Sequence, residues 1–160
     1  MLVNQGGLMI SLQALRERGY EWLPTQEHHP VHPLRNAQQV GDEVDVSGQV
    51  PFENGVVIAG KIGRDLSPEK GARAAELCAL HCLYAAGAVV DPDGIIGVRR
   101  MTVYVNVAPG FTETSTVANG ASQFLIDLLG EAGKGTRVAV GVAELPLNAA
   151  VEIEMTFIVL

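Results

Sequence analysis

Hydrophobic and polar positions alternate most cleanly at the end of the chain. Over 151–159, Val151, Ile153, Met155, Phe157 and Val159 share one face, and Glu152, Glu154 and Thr156 share the other. That two-residue period predicts a half-buried strand. It recurs over 137–143, where Val138, Val140 and Val142 alternate with Arg137, Ala139 and Gly141. The stretch 95–107, rich in Val, Ile and Tyr, predicts a long strand closed by Pro109-Gly110. Shorter strands are expected over 44–47 and 56–59. Helical spacing takes over twice. Ser67-Pro68-Glu69 opens one helix with a serine cap and a proline in the first turn, Ala72, Ala75, Ala79, Cys82, Leu83 and Ala86 recur along it, and Gly87 ends it. A second helix is predicted over 114–129, with Val117, Ala121, Phe124, Leu125 and Leu128 on its apolar face. A short helix over 10–18 has Ser11 as a candidate N-cap.

These elements predict an α+β fold, a mostly antiparallel sheet with two main helices on one face. The link 145–148 is short, so the last two strands are expected to pair antiparallel. The other sheet face is expected to carry Ala139, Gly141, Ile158 and Leu160 beside a few polar groups. Such a face is too apolar to stay wet, and a symmetric oligomer would cover it.

The chain has 160 residues, 48% hydrophobic and 18% charged. It is long enough for one domain with a real core, and it falls below the roughly 25% charge of an average domain. The net charge of −7 argues against nucleic acid and against anionic membrane as partners, since both require a basic face. The uncharged apolar run 77–90 is shorter than the roughly 20 residues that span a bilayer, and residues 1–13 do not read as a signal peptide. A soluble, cytoplasmic protein is expected.

Two clusters raise the question of a metal. Cys78, His81 and Cys82 fall within about one helical turn, but no second cysteine pair completes the four ligands of a structural zinc site. Small thiols packed on an apolar helix face are expected instead. His28, His29 and His32 lie near Glu27, but Pro30 and Pro33 prevent a helix from aligning them. A polar extended loop is expected there. Neither a metal nor a cofactor is expected. The glycines of 130–136 run from helix to strand, the reverse of a phosphate loop.

Three segments remain: Ser47-Gly48-Gln49-Val50-Pro51, Val117-Ala118-Asn119-Gly120, and Arg137 through Leu145-Pro146 to Val151-Glu152-Ile153-Glu154. In their order and spacing the chain resembles the RidA/YjgF family, also labelled L-PSP endoribonuclease, over about 33–159, as a divergent branch. The expected organisation is a single domain, 1–160, with an N-terminal extension over 1–32 and a core over 33–160. The resemblance implies a chorismate-mutase-like fold assembled as a homotrimer with ligand clefts between subunits. It implies cofactor-free hydrolysis of reactive enamines or imines, such as 2-aminoacrylate, to 2-keto acids and ammonia. By the same resemblance Arg137 binds the substrate carboxylate, Asn119 belongs to the substrate site, and Ser47 and Glu152 match the family serine and glutamate. Leu34 stands where deaminating members carry tyrosine, and Ala139 where they often carry cysteine. A trimeric binder of small carboxylates without turnover is the alternative. The residues themselves leave a further choice open: Arg137 either holds a ligand or forms an internal ion pair with Glu152 or Glu154, and Glu152 either relays protons or balances Arg137.

Overall fold

A computed structural model describes residues 10–24 and 33–160 of the chain. The elements are α1 (Leu12–Glu17), β1 (Ala37–Val40), β2 (Glu43–Gln49), β3 (Phe52–Glu53), β4 (Val56–Val57), α2 (Pro68–Ala86), β5 (Ile95–Asn106), α3 (Thr114–Leu129), β6 (Thr136–Val142) and β7 (Val151–Val159). Five strands form one sheet in the order β1-β2-β7-β5-β6, and β3 and β4 form a separate small hairpin.

The helices begin and end where their caps dictate. Ser67 accepts a hydrogen bond from the Lys70 N–H at 3.2 Å, Pro68 occupies the first turn, and Gly87 is the C-cap. Ser11 caps α1 in the same way through the Ala14 N–H at 3.0 Å. Such a cap contributes about 1 kcal/mol. The core lies between the sheet and the α2–α3 layer. Phe157, Ile153 and Val103 from the sheet meet Leu83, Phe124 and Leu125 from the helices, all fully buried. Burying each such side chain is worth about 1.5–3 kcal/mol. Among the described residues no helix is long and apolar enough to cross a membrane.

The two helices cross at very short range. A Cβ built on Gly120 of α3 would land on the carbonyl of Ala72 in α2, and one on Gly71 would meet Ile62 and Val117. The small residues of α2 are the price of this approach. The segment 10–24 adds an outer layer. Ser11 N–H donates to the Leu128 carbonyl at 2.9 Å. Arg18 pairs with Glu76 of α2 and Asp127 of α3 while its guanidinium lies over the Phe124 ring.

Three expectations are corrected. The last two strands do not pair: β6 runs parallel to β5 at the sheet edge, and β7 lies between β2 and β5. The α3 segment is therefore the crossover of a strand–helix–strand unit, and 143–150 passes across the end of β5. That is a sideways step of two strand spacings, about 10 Å, which eight residues span easily. Secondly, Ala139 does not lie on the uncovered face. Ala139 packs against the core, and a Cβ on Gly141 would collide with Val107, so both face the helix layer. Val138 and Val140 are the side chains turned outward, and Ile158 and Leu160, farther along the sheet, are exposed as expected. Thirdly, the strand expected over 56–59 is only Val56–Val57, paired with Phe52–Glu53. The structure also contains a strand absent from the sequence reading, β1, which returns on β2 through a turn with Gly41 at φ 62°.

Candidate functional site

Arg137 enters the fold at the second position of β6, paired across the ladder with Met101 of β5. Its side chain points to the helix layer, where its Nη1 donates to Asn119 Oδ1 at 2.9 Å and to Ser122 Oγ at 3.0 Å. Asn119 and Ser122 stand three apart on α3 and so share a face. The structure thus brings together Arg137 and Asn119, two of the four residues singled out in the sequence. It adds Ser122, which the three-residue spacing from Asn119 could have indicated. Among the described residues Arg137 has no carboxylate partner.

The other two residues lie together elsewhere. The register of β2 on β7 slips between Val46, opposite Met155, and Gln49, opposite Ile153, so Ser47 and Gly48 form a bulge. Bulges re-aim side chains beside functional sites. Gly48 lies directly against Glu152, so that a Cβ there would push the Glu152 carboxylate aside. Ser47 Oγ donates to the Arg35 carbonyl at 2.6 Å. Ser47 and the exposed Leu34 line one open depression with Arg35, Gln38 and Asp45.

Glu152 faces away from the helices, as the alternation of burial along β7 requires. It therefore lies on the opposite sheet face from Arg137, with β5 between their strands. The internal pair Arg137–Glu152 does not form, nor does Arg137 pair with Glu154, which accepts from the Tyr104 hydroxyl at 3.1 Å. Burial, and then the neighbouring Glu154 charge, raise the pKa of Glu152 above the ordinary glutamate value.

A raised carboxyl pKa binds protons more tightly in the folded chain than in the unfolded one. Stability then falls as pH rises from the unfolded value through the folded one. Glu152→Gln is accordingly expected to melt at a higher temperature than wild type near pH 7, with the gain gone below about pH 4, where both forms are neutral. Thermal melts of the two proteins across this range check it. A variant less stable than wild type at neutral pH would show the carboxylate to be held by a favourable partner.

The thiols behave as packed core groups. Cys78 and Cys82 are fully buried against the sheet, each Sγ 3.5 Å from a β7 carbonyl, and burial pushes both pKa values far up. His81 turns elsewhere, its Nε2 2.9 Å from the Phe52 carbonyl and its ring edge-on to Phe52 and Tyr84. Among the described residues no three His, Cys, Asp or Glu side chains converge as metal ligands. The His28, His29 and His32 loop lies outside the described residues.

Comparison with known proteins places this geometry. The chain is 42% identical over 117 residues to Protein TCP17 of Trypanosoma cruzi, covering 71% of this chain and 73% of that one. It superposes on the crystal structure of Atu1372 from Agrobacterium tumefaciens, a protein of unknown function, with a TM-score of 0.84 and 36% identity over 92% of this chain and 91% of the other. Escherichia coli TdcF, solved with bound serine, shares the fold at a TM-score of 0.57 and 22% identity, covering 94% and 97% of the two chains. The model of the family described as Endoribonuclease L-PSP matches residues 25–159. The three motifs, the sheet that carries them and this match over most of the length agree: the chain belongs to the endoribonuclease L-PSP (YjgF) family.

Proposed function

We propose that this protein is a cofactor-free hydrolase that converts reactive enamine or imine forms of small amino acids to 2-keto acids and ammonia. The observation that carries the reading is Arg137, a permanent cation held in place by two neutral oxygens with no carboxylate partner among the described residues. A guanidinium so presented fits a ligand carboxylate bidentately. In this reading Asn119 and Ser122 orient the guanidinium and a water adds to the imine carbon. Glu152 passes the two protons of that water to the nitrogen in turn, one as the water adds and one as the resulting carbinolamine collapses, so that the C–N bond breaks, the carbonyl forms and ammonia leaves. A carboxyl whose pKa is raised by burial suits that exchange. The imine is already reactive toward water, so holding and orienting it is most of the task.

One copy does not bring these groups to one ligand, because Arg137 and Glu152 lie on opposite faces of the sheet and two strands apart. Assembly supplies the remedy. The open sheet face exposes Val138, Val140 and Ile158, and a homotrimer that buries it would set the Arg137 edge of one copy against Ser47 and Glu152 of the next. A cytoplasmic setting and the division into extension and core belong to the same proposal. The charge of −7 weighs toward small carboxylates and away from RNA as substrate.

The deciding experiment generates imines in place and follows ammonia release, with light scattering on the same sample. Turnover by a three-copy particle is expected, and Val140→Asp is expected to dissociate the particle and to lower turnover at least tenfold. A stable, fully active monomer would overturn the shared site. Leu34 and Ala139, in place of the family tyrosine and cysteine, favour a second reading: a trimeric binder of small carboxylates without turnover. Tight 2-keto acid binding with no ammonia release would establish that reading instead.

A further inference from the structure

We propose that the cavity beside Arg137 is a side-chain subsite, and that the ligand whose carboxylate meets Arg137 carries a small branched aliphatic group. This rests on reading Arg137 as the carboxylate anchor. The cavity measures about 150 Å³ and lies between α3, the middle of β5 and the start of β6. Val98 and Met101 of β5 and Ile126 of α3 give it apolar walls, and Ser122, Lys134, Thr136 and Arg137 add polar groups. At about 30 Å³ for each water-sized group it has room for roughly five, the size of an isobutyl group with a little space to spare.

Its polar side chains each have a protein partner, the Thr136 hydroxyl donating to the Arg99 carbonyl at 3.2 Å. The Ser122 hydroxyl accepts from Arg137, and Lys134 at the rim is paired with Glu131 at 2.9 Å, which draws its charge toward solvent. Nothing from the backbone side fills the space either. Gly135 borders it, and a Cβ there would run into Val98, so this wall stays bare. A cavity with an apolar interior and a guanidinium in its wall matches one ligand shape: a carboxylate joined through one carbon to a tail of three or four carbons. The imines of branched-chain amino acids and their 2-keto acids have that shape, whereas 2-aminoacrylate and pyruvate leave the cavity empty.

Calorimetric titration of the whole protein with pyruvate, 4-methyl-2-oxopentanoate and 2-oxoglutarate tests this. The branched acid is expected to bind at least about tenfold tighter than pyruvate, since each buried methylene in such a pocket is worth several-fold. In Ile126→Phe, which fills the cavity, that ratio is expected to fall toward one. The wild-type ranking decides the matter even where the variant fails to fold. Equal binding of pyruvate and the branched acid would overturn the subsite and leave the carboxylate anchor standing. Tightest binding of 2-oxoglutarate would overturn it in favour of a second anion site at Lys134. Binding of none of the three would remove the anchor, and the subsite with it.

Discussion

Arg137→Ala is expected to lower the affinity for small 2-keto acids at least tenfold, and to abolish ammonia release, while the melting temperature stays close to that of wild type. Charge-assisted hydrogen bonds contribute about 1.5–3 kcal/mol each, so the loss of even one accounts for the drop in affinity. Stability is spared for a structural reason. The groups left behind are the exposed Asn119 and the half-buried Ser122, both neutral acceptors that water can satisfy. Had Arg137 been the internal partner of a buried carboxylate, its removal would have cost about 3–5 kcal/mol. Calorimetry and thermal melting of this one variant separate the outcomes. A large fall in melting temperature with ligand binding intact would remove Arg137 from the site.

Gly120→Val is expected to produce the largest loss of stability of any single substitution considered. The new Cβ would be driven into the Ala72 carbonyl, and a backbone atom cannot swing aside as a side chain can. Overpacking costs about 1–3 kcal/mol where side chains can adjust and more where they cannot. A loss of about 3 kcal/mol or more would remove much of the roughly 5–15 kcal/mol that holds a domain of this size together. Because Asn119 precedes Gly120, separating the helices would also withdraw the group that orients Arg137. Gly94→Ala is the control, since nothing lies within 4 Å of a Cβ there, and it is expected to stay within about 0.5 kcal/mol of wild type. Urea unfolding of both variants checks the pair. Wild-type stability in Gly120→Val would mean that α2 and α3 do not depend on their close crossing.

What the sequence made legible was local. Ser67-Pro68 and Gly87 mark α2 because capping is decided within a few residues, and α3 and β7 follow from periods of 3.6 and 2 that need no knowledge of the partner. Strand pairing is not local. The short link after β6 invited a hairpin, yet the helix between β5 and β6 was the better guide, because parallel neighbours need a crossover of that kind. β1 escaped notice because Gln38 and Gln39 show no alternation, and its strand conformation is imposed by β2. The outward face of β6 was misassigned because larger apolar residues were assumed to face inward. Ala139 packs against the core there instead, and Gly141 leaves room for Val107.

The site divides along the same line. Arg137 and Asn119 were legible as a resemblance, and the fold puts them in contact. Ser122 was not singled out, since its three-residue spacing from Asn119 gains meaning only once Asn119 is known to face Arg137 across the gap. The relation of Arg137 to Glu152 was open because their separation depends on which strand lies between them. Strand order and side-chain alternation answer it together: β5 lies between β6 and β7, Arg137 points to the helix layer, and Glu152 points to the other face.

The hydrogen bond from Ser47 to the Arg35 carbonyl fixes a direction. The only hydrogen on that hydroxyl is committed at 2.6 Å, so the oxygen has lone pairs alone to offer a newcomer. A carboxylate arriving there would meet electron density with electron density and be repelled. An N–H of an imine or ammonium, or the hydrogen of a water, would be accepted. In the proposed site the bulge on β2 would therefore read the polarity of a ligand as well as its shape: the end that carries hydrogen would lie against Ser47, and the end that lacks it would be turned toward Arg137.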